Sequence, residues 1–103
     1  MFLQAIEALE AKNTDAMVRL MDRAVATDVT NHFAYIKRAQ LFDLVGNNDR
    51  AARDYTTALG FVGIDAHYAD VFQMRGCANF KLGNLQGAVS DWVNFIRLKP
   101  DKE

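Results

Sequence analysis

The sequence predicts an all-α protein in which antiparallel helix pairs stack on one another. Three observations predict this fold class. Proline occurs once in 103 residues, at position 100, so long helices are permitted through almost the whole chain. Apolar residues recur three and four positions apart, as in Met21 and Val25, and the alternation typical of strands is not sustained. Similar residues also return at fixed intervals, which indicates a repeat architecture.

Short polar side chains and glycines divide the chain into six predicted helices. Candidate N-caps, whose side chains accept an unpaired backbone N–H, are Asn13-Thr14-Asp15, Thr30-Asn31, Asn47-Asn48-Asp49, Asp65 and Asn84. A left-handed glycine can end a helix, and glycine precedes three of these caps, at Gly46, Gly63 and Gly83. We therefore expect helices over about residues 1–12, 15–28, 32–45, 49–60, 66–82 and 86–98.

Two intervals relate the helices. Five positions in the middle of the chain, Arg38, Gly46, Ala51, Asp54 and Tyr55, are matched 37 residues later by Arg75, Gly83, Ala88, Asp91 and Trp92. Going backwards, the residues Ala39, Asn47, Tyr55, Ala58 and Leu59 are matched 34 residues earlier by Ala5, Asn13, Met21, Ala24 and Val25. The Arg–Asp spacing of 16 recurs in Arg38–Asp54 and Arg75–Asp91, and we interpret both as ion pairs that fix the register of two helices.

This pattern resembles the tetratricopeptide repeat, a helix pair of about 34 residues. The best-matching stretch is Arg75-Gly76-Cys77-Ala78-Asn79-Phe80-Lys81-Leu82-Gly83-Asn84, followed by Ala88, Trp92, Phe95 and Pro100. The resemblance implies a right-handed α–α superhelix, a single domain over 1–103 with three helix-turn-helix repeats at about 1–31, 32–68 and 69–102. It also implies small residues where helices cross, at Ala5, Ala39 and Gly76. The chain departs from the family at Lys12, where glycine is frequent, and at Val29 and Gly63, where proline is frequent.

The resemblance implies a function in protein–protein interaction, because this family is a binding scaffold. Partner peptides or helices usually bind in the concave groove lined by the first helix of each repeat. Carried over by the repeat match, the groove residues are Phe2, Ile6, Phe33, Ile36, Lys37, Gln40, Gln73, Met74 and Cys77. For Phe2 and Ile6, a place in the core is an equally good interpretation.

One subgroup of the family binds acidic C-termini through a carboxylate clamp, and this chain does not match it. The clamp needs cations and asparagines, whereas the matched positions hold Phe2, Ile6, Lys37, Asp70 and Met74. An aspartate where a cation should meet a carboxylate is unfavourable.

Two alternatives to peptide binding stay open. The last helix predicts an apolar face of Val89, Val93 and Ile96, in the register where a following repeat would pack. That face favours a self-assembly scaffold, in which the C-terminal helices of two copies pair as a homodimer. It is also consistent with an excised part of a longer array.

Composition argues against several other classes. A net charge of −1 and a pI of about 6.1 argue against nucleic acid or an anionic membrane as the main partner. We expect no signal peptide in the N-terminal residues, and the single cysteine, Cys77, favours the cytoplasm. We expect no enzyme, cofactor or metal. The cluster of Asp65, His67 and Asp70 could in principle hold a metal, but N-capping by Asp65 explains it.

Overall fold

The computed structural model describes the backbone of residues 2–98 and the side chains of residues 15–98. It contains α1 (Phe2–Thr27), α2 (His32–Leu44), α3 (Asn48–Val62), a 3₁₀ turn (Ala66–Tyr68) leading into α4 (Ala69–Lys81), and α5 (Leu85–Leu98). Each helix packs against the next in chain order. No strand occurs in residues 2–98. The predicted fold class, an all-α α–α superhelix, is confirmed.

The turn between α2 and α3 shows why these residues form a helix pair. The Gly46 N–H donates to the Asp43 carbonyl at 3.1 Å, and the Asn47 N–H donates to the Phe42 carbonyl at 2.8 Å. These two hydrogen bonds close the C-terminal end of α2. They require a residue in the left-handed conformation, and Gly46 supplies it with φ of 80°. The Asn47 side chain then accepts the Arg50 N–H at 3.3 Å and caps α3.

The turn between α4 and α5 has the same construction. Gly83, with φ of 85°, donates its N–H to the Phe80 carbonyl at 3.0 Å. The Asn84 N–H donates to the Asn79 carbonyl at 2.8 Å. The Asn84 side chain accepts the Gly87 N–H at 3.0 Å. The predicted boundaries of these four helices are therefore close to the observed ones.

The first predicted helix pair is wrong. Residues 2–27 form one continuous helix, so the described chain has five α-helices, and Asn13-Thr14-Asp15 does not break α1. The position that matches Gly46 is Lys12, and no glycine precedes Gly46 in the sequence. A lysine in the left-handed region costs about 1–2 kcal/mol. Continuing the helix avoids that cost.

The core lies between α2, α3 and α4. Its buried members are Ile36, Ala39, Phe42, Ala51, Tyr55, Ala58, Leu59, Val71 and Phe72. Ala39 is fully buried at the crossing of α2 and α3. At the matched crossing of α4 and α5, a Cβ on Gly76 would lie 2.6 Å from Trp92 Nε1. The small residues therefore stand where the helix axes approach closely.

Both predicted ion pairs form. Arg38 binds Asp54 through Nε and Nη2 at 2.7 and 2.9 Å. Arg75 binds Asp91 in the same bidentate way at 3.0 and 2.7 Å. The pKa of Arg38 is raised above its ordinary value, mainly because its hydrogen bonds to Asp54 favour the charged guanidinium.

A third bond from each arginine reaches the preceding helix, which the sequence interpretation did not foresee. Arg38 Nη1 lies 2.6 Å from Asp22 Oδ1 on α1. Arg75 Nη1 lies 3.0 Å from Thr56 Oγ1 on α3. Asp22 and Thr56 are matched positions 34 residues apart, so each arginine joins its own helix pair to the helix before it.

Candidate functional site

A shallow cleft opens on the surface shared by α2 and α4. It has a volume of about 300 Å³ and is lined by Gln40, Asp43, Leu44, Tyr55 and Met74. Tyr55 forms the floor because its side chain is fully buried. The Met74 sulfur lies 3.6 Å from both the Tyr55 hydroxyl and the Gln40 amide nitrogen. The two helices are therefore joined at the base of the cleft by a polarisable thioether.

The Tyr55 hydroxyl at the floor of the cleft is kept in its neutral form. The Tyr55 hydroxyl donates to Asp43 Oδ2 at 2.7 Å. Burial, and then the hydrogen bond to Asp43, raise the pKa of Tyr55 above its ordinary value. The Asp43 carboxylate that accepts this bond is half-buried at the edge of the cleft. The cleft therefore offers apolar contact from Leu44 and Met74 beside one carboxylate and one amide.

A second hollow of about 440 Å³ adjoins the cleft on the side of α1. It is lined by Met17, Met21, Lys37, Gln40, Leu41 and Leu44. Gln40 and Leu44 line both depressions, so the two form one concave surface along α1, α2 and α4. We call this surface the groove. The part between α1 and α2 is called the α1 hollow.

The predicted groove residues are only partly brought together. Lys37, Gln40 and Met74 line the groove. Gln73 and Cys77 are exposed on α4. Phe2 and Ile6 lie outside the residues whose side chains the structure describes.

Two predicted groove residues lie elsewhere. Ile36 is only 8% exposed and packs in the core, and it is not among the residues that line the groove. Phe33 is exposed near the start of α2 and stacks on His32, with ring centroids 4.8 Å apart. It is not among the residues that line the groove.

The sequence interpretation missed Asp43 and Leu44 on α2, and Met17 and Met21 on α1. The signal was present, because Leu44 follows Gln40 by four positions and Met21 follows Met17 by four. Residues at that spacing share one helix face.

The C-terminal face predicted for self-assembly is exposed. Val89, Val93 and Ile96 on α5 are 56%, 41% and 65% exposed. Leu59 on α3, the residue that matches Ile96, is only 8% exposed, because α4 packs against α3. The face of α5 thus has the composition of an interface without a covering helix among the described residues.

Asp65 serves as the cap that the sequence predicted. Its carboxylate accepts the His67 N–H at 2.9 Å and contacts the His67 ring nitrogen at 3.2 Å. The hydrogen bond from the His67 backbone, and then the one from its ring, lower the pKa of Asp65. Among residues with described side chains, no three His, Cys, Asp or Glu residues gather as metal ligands.

None of the helices over residues 2–98 combines the length and the hydropathy that a membrane span requires.

Comparison with known proteins identifies the fold. Neither a family model nor a curated protein matches the sequence. Two crystal structures of MamA match with TM-scores of 0.75 and 0.77 at 21% identity, over 88% of this chain and 51% and 54% of theirs. A third MamA structure, designated AMB-1, matches with a TM-score of 0.72 at 16% identity, over 87% of this chain and 54% of that one. The chain spans about half the length of these proteins. It shares the all-α helical-repeat fold of MamA, and at these identities the likeness extends to the fold alone.

Proposed function

We propose that this chain is a protein–protein interaction module that binds a partner peptide or helix in the groove, without a carboxylate clamp. The observation that carries the proposal is the cleft between α2 and α4, where Leu44 and Met74 stand beside the Asp43 carboxylate and the Gln40 amide. Apolar contact provides affinity, and a few fixed polar groups provide orientation. A helical-repeat fold, as shared with MamA, presents extended concave surfaces of this kind.

The chemistry of the cleft favours one kind of ligand. An apolar side chain would pack on Leu44 and Met74, since the flexible thioether adapts to different shapes. A hydrogen-bond donor or a basic side chain next to it would meet Asp43. Asp43 and Asp70 are acidic groups on the two helices of the cleft, so an acidic C-terminus is the less favourable ligand.

A displayed random peptide library selected on the purified chain tests this proposal. Peptides selected on the wild type are expected to be enriched in an apolar residue next to Lys or Arg. Leu44→Glu, at a side chain 64% exposed, should weaken a selected peptide at least about tenfold, or about 1.4 kcal/mol, in fluorescence anisotropy.

Ile64→Glu is the matched control, because Ile64 is 72% exposed and is not among the groove-lining residues. It should bind the peptide as the wild type does. Equal affinity of the wild type and Leu44→Glu would place the binding site outside the groove.

A second candidate function is a self-assembly scaffold that homodimerises through α5, and the exposed face of Val89, Val93 and Ile96 favours it. Burying aliphatic side chains of this size contributes roughly 1.5–3 kcal/mol each. Sedimentation of Val93→Glu tests it, because a dimer through this face should dissociate. If the chain is instead one part of a longer array, the face belongs to a following repeat, and the variant should sediment as the wild type does.

A further inference from the structure

Because α1 does not fold back on itself, no first helix packs against its second half, and the α1 hollow stays open. We propose that the α1 hollow is the site of residues 2–12 of a second copy of this chain, exchanged reciprocally in a two-fold dimer. This mode of association uses the opposite end of the solenoid from α5. It does not rest on the proposed peptide binding.

The neighbouring helix pairs show what normally covers the exposed residues of α1. Leu20 matches Asp54 and Asp91, and Met17 matches Ala51. Asp54, Asp91 and Ala51 are 6%, 2% and 0% exposed, because the first helix of each pair packs on them. Leu20 and Met17 are 55% and 48% exposed. Large apolar side chains thus stand uncovered at the positions where the other pairs are closed.

The facing side of α2 is open in the same way. Lys37 matches Met74 on α4. The sulfur of Met74 contacts Gln40 of the preceding pair. No such neighbour is described for α2, because α1 continues straight, and the α1 hollow of about 440 Å³ lies there instead.

The sequence of residues 2–12 fits this site. Ala5 matches Ala39 and Gly76, the small residues at the crossings of the two closed pairs. Phe2, Ile6 and Leu9 are spaced by four and three positions, which gives the segment one apolar helical face. The composition is that of the missing first helix of a pair.

The segment cannot reach the site in its own chain while α1 is continuous. Residues 5 and 20 lie on one helix and are about 22 Å apart along its axis. A second α1 running antiparallel, with the two-fold axis near residues 12–13, brings residue 5 of each copy to residue 20 of the other. Exchange of identical elements is an accessible route to a dimer. Lys12 keeps a helical backbone throughout.

A disulfide test distinguishes the exchanged dimer from a chain in which residues 2–12 fold back on their own α1. In the Cys77→Ser background, Ala5→Cys and Leu20→Cys are combined. The guide is Gly76, where a Cβ would lie 3.2 Å from Asp91 Cβ, close to the Cβ separation of a disulfide. On oxidation, non-reducing electrophoresis should show a covalent dimer. A covalently closed single chain, or two free thiols, would overturn the proposal. Ala5→Cys with Thr57→Cys is the control, and this pair should not cross-link.

Sedimentation supplies the second readout. The wild type should sediment at twice its mass of 11.6 kDa. Lys12→Gly supplies the missing left-handed residue, so the segment should fold back and the mass should fall to that of one chain. Lys12→Ala, which favours a straight helix, should stay dimeric, and so should Val93→Glu. A monomeric wild type, or a dimer that Val93→Glu dissociates and Lys12→Gly does not, would refute the exchange.

Discussion

The first helix contains the same repeat pattern as the two closed helix pairs, α2–α3 and α4–α5, yet only these pairs fold back on themselves. α2 and α3 turn at Gly46 and α4 and α5 turn at Gly83, both with positive φ. At the matched position α1 has Lys12 and runs straight through the turn. An N-cap residue such as Asn13 is therefore insufficient to make a turn, and the left-handed residue before it decides the outcome.

The closed pairs also differ from α1 in how their charges are held. Arg75 and Asp91 form a bidentate pair within one helix pair, with Asp91 2% exposed. The ion pair that joins the described part of α1 to α2 is a single bond from Arg38 to Asp22, whose side chain is 53% exposed. We therefore expect removal of an aspartate to lower the stability more inside a helix pair than on α1.

The largest effect is expected for Asp91→Ala. The substitution removes the acceptor of two Arg75 hydrogen bonds and of the Asn79 amide, which donates to Asp91 at 3.0 Å. Removing one partner of a buried pair costs about 3–5 kcal/mol, measured as the free energy of unfolding in urea. Asp22→Ala should cost less than about 1 kcal/mol, because exposed pairs contribute little. Equal losses for the two variants would break the comparison.

Gly76→Leu should have the next largest effect. A Cβ at this position already lies 2.6 and 2.8 Å from Trp92 atoms, so the added side chain must push α5 away. Overpacking of this kind costs up to about 3 kcal/mol and should lower the midpoint of thermal unfolding. Gly60→Leu on α3, where nothing lies within 4 Å of the added Cβ, is the control and should not destabilise. An unchanged midpoint for Gly76→Leu would show that the crossing of α4 and α5 is looser than that of α2 and α3.

Gly46→Lys copies the residue of α1 into the α2–α3 turn. Since no atom lies within 4 Å of the new Cβ, the cost comes from positive φ alone, about 1–2 kcal/mol. Urea unfolding followed by circular dichroism measures it. Gly46→Asn should lose less, because asparagine tolerates the left-handed region. If lysine is accepted here without loss, another feature must keep α1 straight.

Most of the fold followed from the sequence because local signals agreed with one another. Asn31 and Asn47 both cap the helices predicted to follow them, and the Arg–Asp spacing gave both ion pairs. α1 is the exception. Its apolar spacing and the cap residue Asn13 predicted a helix pair, although Lys12 stands where the repeat usually has glycine. The sequence pattern does not say whether the backbone cost of a left-handed lysine outweighs those two favourable signals.

The groove was less predictable for a different reason. The spacing of Ile36, Lys37 and Gln40 places them on neighbouring faces of α2, and the helices packed around α2 decide which face is accessible. Core packing buries Ile36. The straight course of α1 exposes Leu44 and Met17. Both outcomes depend on the arrangement of whole helices, which no local pattern contains.

The smallest effect is expected for Tyr55→Phe, which tests a hydroxyl found only in the middle pair, since the matched residues are Met21 and Trp92. Losing the bond to Asp43 should cost about 1 kcal/mol at pH 7. Because folding raises the pKa of Tyr55, its contribution is complete below the unfolded pKa of about 10 and declines as the pH rises above it. The wild type should therefore lose about 1 kcal/mol of its advantage over Tyr55→Phe between pH 9 and 11 in urea unfolding. Tyr35→Phe is the control for losing a tyrosine hydroxyl, because the Tyr35 hydroxyl donates to the exposed Val29 carbonyl at 3.2 Å, and it should cost less than Tyr55→Phe at pH 7. A constant advantage of the wild type over Tyr55→Phe across this range would mean that Tyr55 ionises as readily in the folded chain as in the unfolded one, and the floor of the groove would then be open to water.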